Sequence, residues 1–254
     1  MRMLARLSLL ILVSPPLLAR AQDTSSVPSA GEIVARMGAR DAQRQLATEG
    51  YAGMRKYTLE NEGLHKHAEM IVRVNGDPDG TKHFEIVSEE GWKAAHKHVL
   101  RKMLDSEAAT SRPEARAKAR LNAENYDFQL LGVEGAGDRP AYVLELSPKR
   151  KEKYLFRGRI WVDTEDYALV RAEGKPAENP SFWTKSTHFV QNYGKNGPVW
   201  FPVSTQSVTD VRIFGTTYLN IEYFEYMPRA SFPDVSFLTA GDLFAVSEAS
   251  YGGR

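Results

Sequence analysis

The sequence predicts a mainly β fold with covering helices, an α+β arrangement built on antiparallel strands. Three observations predict it. Over residues 154–226, β-rich runs alternate with Gly, Asn, Asp and Pro turn signals and carry little helical pattern. Inside that stretch, residues 159–162 and 167–173 flank Asp163-Thr164-Glu165-Asp166, which is hairpin chemistry. Upstream, over residues 92–106, the apolar positions recur at three and four, the period of a helix lying on a surface.

Residues 1–21 read as an export signal. Arg2 and Arg6 precede a short apolar run at 7–13, and Ala19-Arg20-Ala21 offers small residues for cleavage after Ala21. That run is too short to span a bilayer, and Pro15-Pro16 breaks any longer helix. Export to the periplasm is the expectation, with residues 22–28 a polar, disordered linker. The chain has no cysteine, so it offers no acylation site and no disulfide or thiol chemistry. Loss of Arg2, Arg6 and Arg20 with the leader takes the formal charge from +1 to −2, which argues against a nucleic-acid partner. The remaining length suits one domain, expected at 29–226, followed by a loosely packed tail at 227–254.

Ser29-Ala30-Gly31-Glu32 fits a capping box, opening an amphipathic helix that turns Ile33, Met37 and Leu46 to the sheet and ends by Gly50. Strands follow at 54–60 and 67–74, where Ala68, Met70, Val72 and Val74 share a face. The turn signal at 75–80 leads to a third strand at 82–88. The next helix turns Trp92, Ala95, Val99, Leu100, Met103 and Leu104 inward, with Lys93, Lys97, Arg101 and Lys102 outward. Ser111-Arg112-Pro113 interrupts it before a second, polar helix at 114–122. Residues 108–123 are poor in large apolar side chains, so two readings stand: a packed helical layer, or a mobile lid over a cavity mouth.

Strands at 128–133 and 142–146 lead to a charged crossing at 149–153, read as a solvated connection. Beyond the hairpin, Lys175-Pro176 and Asn179-Pro180 break the chain before a strand at 181–193 that stops at Gly194-Lys195-Asn196-Gly197. Strands at 199–201, 203–211 and 218–226 complete the series. In the last, Leu219, Ile221 and Tyr223 share one face, with Asn220, Glu222, Phe224 and Tyr226 on the other.

His65 and His67, two apart on a strand, share a face; His96 and His98, two apart on a helix, point away from each other. With no carboxylate at a ligand spacing, both pairs are expected as solvated surface, with no metal site and no cofactor. Asp163, Glu165 and Asp166 are explained by the turn they form. G-x-S-x-G, H-E-x-x-H and phosphate-binding glycine motifs are absent, so the chain is expected not to be an enzyme and no catalytic residue is assigned. The remaining signal is aromatic: Trp161, Phe182, Trp183, Phe189, Trp200 and Phe201 either fill a sheet core or line an apolar cavity.

The stretches Gly158-Arg159-Ile160-Trp161-Val162-Asp163, Leu169-Val170-Arg171-Ala172-Glu173, and Trp200-Phe201-Pro202 with Ser207-Val208-Thr209-Asp210-Val211 resemble the outer-membrane lipoprotein-sorting and carrier proteins, the LolA-like group. The resemblance implies a strongly curved antiparallel sheet forming an unclosed half-barrel, helices over its concave face, and an apolar cavity for acyl chains. It implies a monomeric periplasmic carrier whose partners are a lipid or acylated lipoprotein and an inner- or outer-membrane protein. On that basis Met70, Val72, Trp92, Val99, Met103, Trp161, Phe182, Trp183 and Trp200 are candidate lipid-binding residues. The group's lid-closing arginine has no matching motif here, and Arg36, Arg40 and Arg55 are all candidates. The alternative is a sensor or interaction module of the same fold, signalling through a protein partner.

Overall fold

The computed structural model describes residues 27–46, 50–137, 139–152, 154–178, 184–197, 199–212 and 215–229. The export signal, most of the linker, Phe182, Trp183 and the tail from residue 230 lie outside the described residues.

Ten strands form one antiparallel sheet: β1 (Tyr51–Asn61), β2 (Lys66–Gly76), β3 (Lys82–Gly91), β4 (Tyr126–Ala136), β5 (Arg139–Pro148), β6 (Phe156–Asp163), β7 (Leu169–Pro176), β8 (Thr184–Asn196), β9 (Val199–Val211) and β10 (Gly215–Pro228). Their spatial order is β3-β2-β1-β10-β9-β8-β7-β6-β5-β4. Only the β1–β10 pairing joins strands distant in sequence. β3 and β4 remain edges, so the sheet does not close into a barrel. The helices are α1 (Ala30–Leu46), α2 (Lys93–Ala95), α3 (Arg101–Ser111) and α4 (Pro113–Ala119), with a π-helical turn at His96–Leu100 joining α2 to α3.

One row of directly opposed residues crosses all ten strands: Leu130, Leu144, Ile160, Ala172, Gln191, Thr205, Ile221, Tyr57, Met70 and Glu89. Opposed residues share a face, so this row traces one surface of the whole sheet. Both helical layers lie on it. Ile33, Val34 and Met37 of α1 are buried against Leu144, Leu146, Ile160, Val162 and Ala172. Ala95, Leu100 and Leu104 are buried against Tyr57, Leu59, Met70, Val72 and Ile221. Full burial of each large side chain contributes roughly 1.5–3 kcal/mol.

The capping box forms as the sequence indicates. Glu32 accepts the Ser29 N–H at 2.8 Å while the Glu32 N–H donates to Ser29 Oγ at 3.3 Å, fixing where α1 starts. In the next helical layer the π turn changes the expected inward face. Its extra residue per turn rotates α3 relative to α2, so Ala95, Leu100 and Leu104 become innermost while Val99 is 39% exposed. The same rotation buries His96, which the helical spacing alone places at the solvated surface; its Nε2 lies 2.9 Å from the Glu90 carbonyl oxygen.

Register shifts interrupt the simple alternation at several strand pairs, and two of them bear on the site. Three β10 residues, 225–227, come after Phe224 where β1 advances only from Met54 to Ala52, and Glu225 adopts φ +52°. The extra residue flips the phase, so Tyr226 joins the face of Ile221 and Tyr223 rather than that of Glu222. A shift at Asn192/Tyr193 carries β8 on through Asn196, past the expected stop at Gly194.

α4 buries no residue, as its composition indicates, yet polar contacts tether both of its ends. The Lys82 N–H donates to Ser111 Oγ at 2.8 Å, Asn125 Nδ2 to the Arg120 carbonyl at 2.9 Å, and Arg150 Nη2 to the Lys118 carbonyl at 2.6 Å. The charged crossing at 149–153 is thus in part a cap for this helix.

Candidate functional site

The two apolar clusters do not merge. Between them the helix-facing surface of β8 and β9 is half-buried and carries Gln191, Tyr193, Thr205 and Ser207, flanked by Phe189, packed against the first cluster, and by Tyr223 of β10, packed against the second. Its polar groups bond to one another: Tyr193 OH donates to Gln191 Oε1 at 2.8 Å, Gln191 Nε2 donates to Thr205 Oγ1 at 3.0 Å, and Thr205 Oγ1 lies 3.0 Å from Tyr223 OH. Burial, then Tyr223, Asp41 of α1 and Glu107 of α3, push the Tyr193 phenol above its ordinary range.

At one end of the strip is a cleft of about 120 Å³. Lys82 of β3 and Trp200 of β9 both line it although three strands separate them in the sheet, which requires the sheet to curve strongly around this face. Tyr51, Phe201 and Tyr226 form its aromatic wall. Tyr226 stacks on Phe201 at 4.6 Å and on Tyr51 at 5.0 Å. Burial pushes the Tyr226 phenol up to about 12.

Arg55 and Lys82 supply the cleft's charge. Arg55 donates to Glu107 through two nitrogens, at 2.8 and 3.1 Å, and Lys82 Nζ donates to the same carboxylate at 2.6 Å. The Arg55 guanidinium also lies 4.8 Å from the Tyr223 ring centre and donates to Tyr57 OH at 3.2 Å. Burial alone would raise the Glu107 carboxyl, but Lys82 and Arg55 outweigh it and hold the group at about 2. Burial works against both cations as well, and Glu107 overrides it, so both are raised.

Of the residues singled out from sequence, the fold gathers Met70, Val72, Trp92 and Met103 around the α2–α3 cluster, with Met70 and Val72 fully buried beneath it. Trp200 lines the cleft and donates from Nε1 to Asp166 at 3.0 Å. Val99 stays outside the core. Trp161 follows Ile160 in β6 and so faces the other side of the sheet, packed with Ala141 and Val143, its Nε1 donating to Glu134 at 3.1 Å. Phe182 and Trp183 are outside the described residues. Of the three candidate arginines, Arg55 joins sheet to helix; Arg36 Nη1 donates to Tyr167 OH at 2.6 Å, and Arg40 to Gln43 of its own helix.

Glu107, Lys82, Gln191 and Thr205 were not singled out from sequence. Glu107 lies 52 residues from Arg55 and 25 from Lys82, so no local pattern links them. The hairpin acids serve the turn: Asp163 accepts the backbone N–H groups of Glu165 and Asp166 and is paired with Arg139. Among the described residues no group of three or more His, Asp or Glu is arranged to hold a metal. A larger depression of about 530 Å³ lies beside α2, lined by Glu89, Lys93, His96 and Arg101, where Glu89 already pairs with Arg101 at 2.7 Å.

Comparison with known proteins adds a likeness of architecture. A profile described as a family of unknown function, DUF5686, matches residues 119–227. No curated protein matches the chain. Among solved structures, a LolA superfamily protein from Nitrosomonas europaea is similar at 12% identity and a TM-score of 0.43, covering 82% of this chain and 96% of that one. A putative outer membrane lipoprotein-sorting protein domain from Vibrio parahaemolyticus is similar at 13% identity and 0.41, covering 79% and 94%. A DUF1329 family protein from Desulfovibrio piger is similar at 13% and 0.41, covering 83% and 96%. The likeness is one of fold. The open, curved antiparallel sheet with helices over one face is the half-barrel that the sequence resemblance implies.

Proposed function

We propose that this chain is a periplasmic, non-enzymatic carrier of an acyl-chain ligand, a lipid or an acylated lipoprotein, received on the concave face of the sheet. The observation that supports it is the separation of the two apolar clusters by a half-buried strip that runs into an aromatic cleft. A face whose only task was to fill a core would join the clusters. Each methylene laid on such a surface contributes about 0.8 kcal/mol, so a long chain binds firmly with few polar contacts.

The cleft as it stands has the volume of about four waters. A full acyl chain therefore requires the layer of α2 and α3 to lift, exposing Met70 and Val72 to the ligand in place of Leu100 and Leu104. α4, with nothing buried, can move with it without loss of core.

Native mass spectrometry of the protein purified from the periplasm, with subsequent solvent extraction, tests this reading. A co-purifying acyl lipid, absent from a folded Ser207→Trp variant that fills the strip, is the expected result. A wild-type protein that is empty, and stays empty when offered lipids and acylated peptides, overturns it and favours a protein-interaction module.

A further inference from the structure

Among the described residues the cleft is lined by two cations, Arg55 and Lys82, and by no acidic side chain. The carboxylate that pairs with both of them, Glu107, comes from α3, an element that does not belong to the sheet. Arg55 is fixed: its side chain is 6% exposed, and it is braced by Tyr57 and by the Tyr223 and Phe84 rings. Glu107 is 33% exposed and leaves with its helix. The sheet therefore keeps two positive charges, beside an aromatic wall, whose counter-charge is removable.

Lifting α3 without replacing Glu107 breaks the three hydrogen bonds that this carboxylate accepts from Arg55 and Lys82 and leaves both cations without their counter-charge, which opposes opening. An incoming anion removes that obstacle by taking over the same hydrogen bonds. Building on the acyl-carrier reading, we infer that the ligand is an anionic amphiphile, whose carboxylate or phosphate head replaces Glu107 on Arg55 and Lys82 while its chain runs along the Tyr51, Tyr226 and Phe201 wall toward the central strip. The exchange makes and breaks only ion pairs and hydrogen bonds. It couples ligand entry to release of the helix, because the head and Glu107 compete for one place.

The test uses three probes of equal chain length, dodecanoate, dodecyl phosphate and 1-dodecanol, each displacing the neutral dye N-phenyl-1-naphthylamine from the full chain. The expected result is that at least one anion binds about tenfold or more tightly than the alcohol, with the better of the two identifying a carboxylate or a phosphate head. Lys82→Met should collapse that ratio. Glu107→Gln should raise anion affinity, since the competitor for Arg55 is weakened, an outcome that a merely structural role for Glu107 would not give. Equal binding of acid, phosphate and alcohol, unchanged in Lys82→Met, overturns the anionic head and leaves the acyl carrier standing. Failure of all three probes to bind overturns both.

Discussion

Arg55 and Glu107 form a two-point ion pair between β1 and α3, and it is the least exposed of the charged links, with Lys82–Glu107 and Arg101–Glu89, by which the sheet holds its second helical layer against the concave face. Ala95, Leu100 and Leu104 supply the apolar part of that hold. α4 adds no buried side chain. The layer thus rests on a small apolar contact and a charge cluster, which makes it the low-stability part of a fold otherwise tied together by strand pairing.

Glu107→Gln should destabilise the protein by about 2–3 kcal/mol, because it leaves Arg55 buried without a counter-charge. Urea unfolding measures the loss. Amide exchange should rise first in residues 96–111, ahead of β6 and β7. A uniform rise across the sheet would show that α3 does not open as a separate unit.

Acid should act through the same carboxylate. Glu107 is held at about 2 in the folded protein against an ordinary value of 4.5, so its folded value is depressed. Its contribution is complete above pH 4.5 and is lost as the pH falls from there through about 2. The wild type should therefore lose melting temperature over that window, and Glu107→Gln should lose less. Asp163 is also depressed, with burial opposing the effect and Arg139 leading it, and it contributes to both proteins alike. The difference between the two curves isolates Glu107. Parallel curves would remove it as the cause.

The sheet was legible because its signals are local. Period-two burial along residues 68–74, the Asp163 turn and the Ser29–Glu32 box each depend on residues a few positions apart. The site was less legible because it is assembled across the fold. Arg55 meets a carboxylate 52 residues away, and Gln191 meets Thr205 only once β8 and β9 pair in register. Phase changes hid the rest. The π turn moved Val99 out and His96 in, and the Glu225 bulge brought Tyr226 to the concave side; each inserts one residue that no hydrophobic period announces.

Gly158 should not tolerate a side chain. It pairs with Gly174 across β6 and β7, and a Cβ there would sit 1.9 Å from the Glu173 carbonyl oxygen and 2.6 Å from the Gly174 Cα. These atoms are backbone in the middle of the sheet, so they yield only by parting the strands. Gly158→Ala should cost about 1–3 kcal/mol, read as a lower melting temperature, while Gly135→Ala, with open space around it, should be nearly neutral. Equal effects at the two positions would contradict the close approach.

Trp161 and Tyr226 provide the sharpest test of which face binds. Trp161 lies on the side away from both helical layers, where the Arg171 guanidinium sits 5.2 Å from its ring centre and Glu134 accepts its indole N–H. Trp161→Phe keeps the apolar body and loses the hydrogen bond, so it should cost about 1 kcal/mol of stability and leave acyl-ligand affinity as in the wild type. Tyr226 stands in the cleft wall, between Tyr51 and Phe201. Tyr226→Ala removes that stacked ring and should weaken ligand binding about tenfold, the effect of one lost aromatic contact and its buried area. Dye displacement at matched folded fractions measures both. Loss of binding in Trp161→Phe with retention in Tyr226→Ala would place the ligand on the opposite face of the sheet, outside the helices, and would end the case for the cleft.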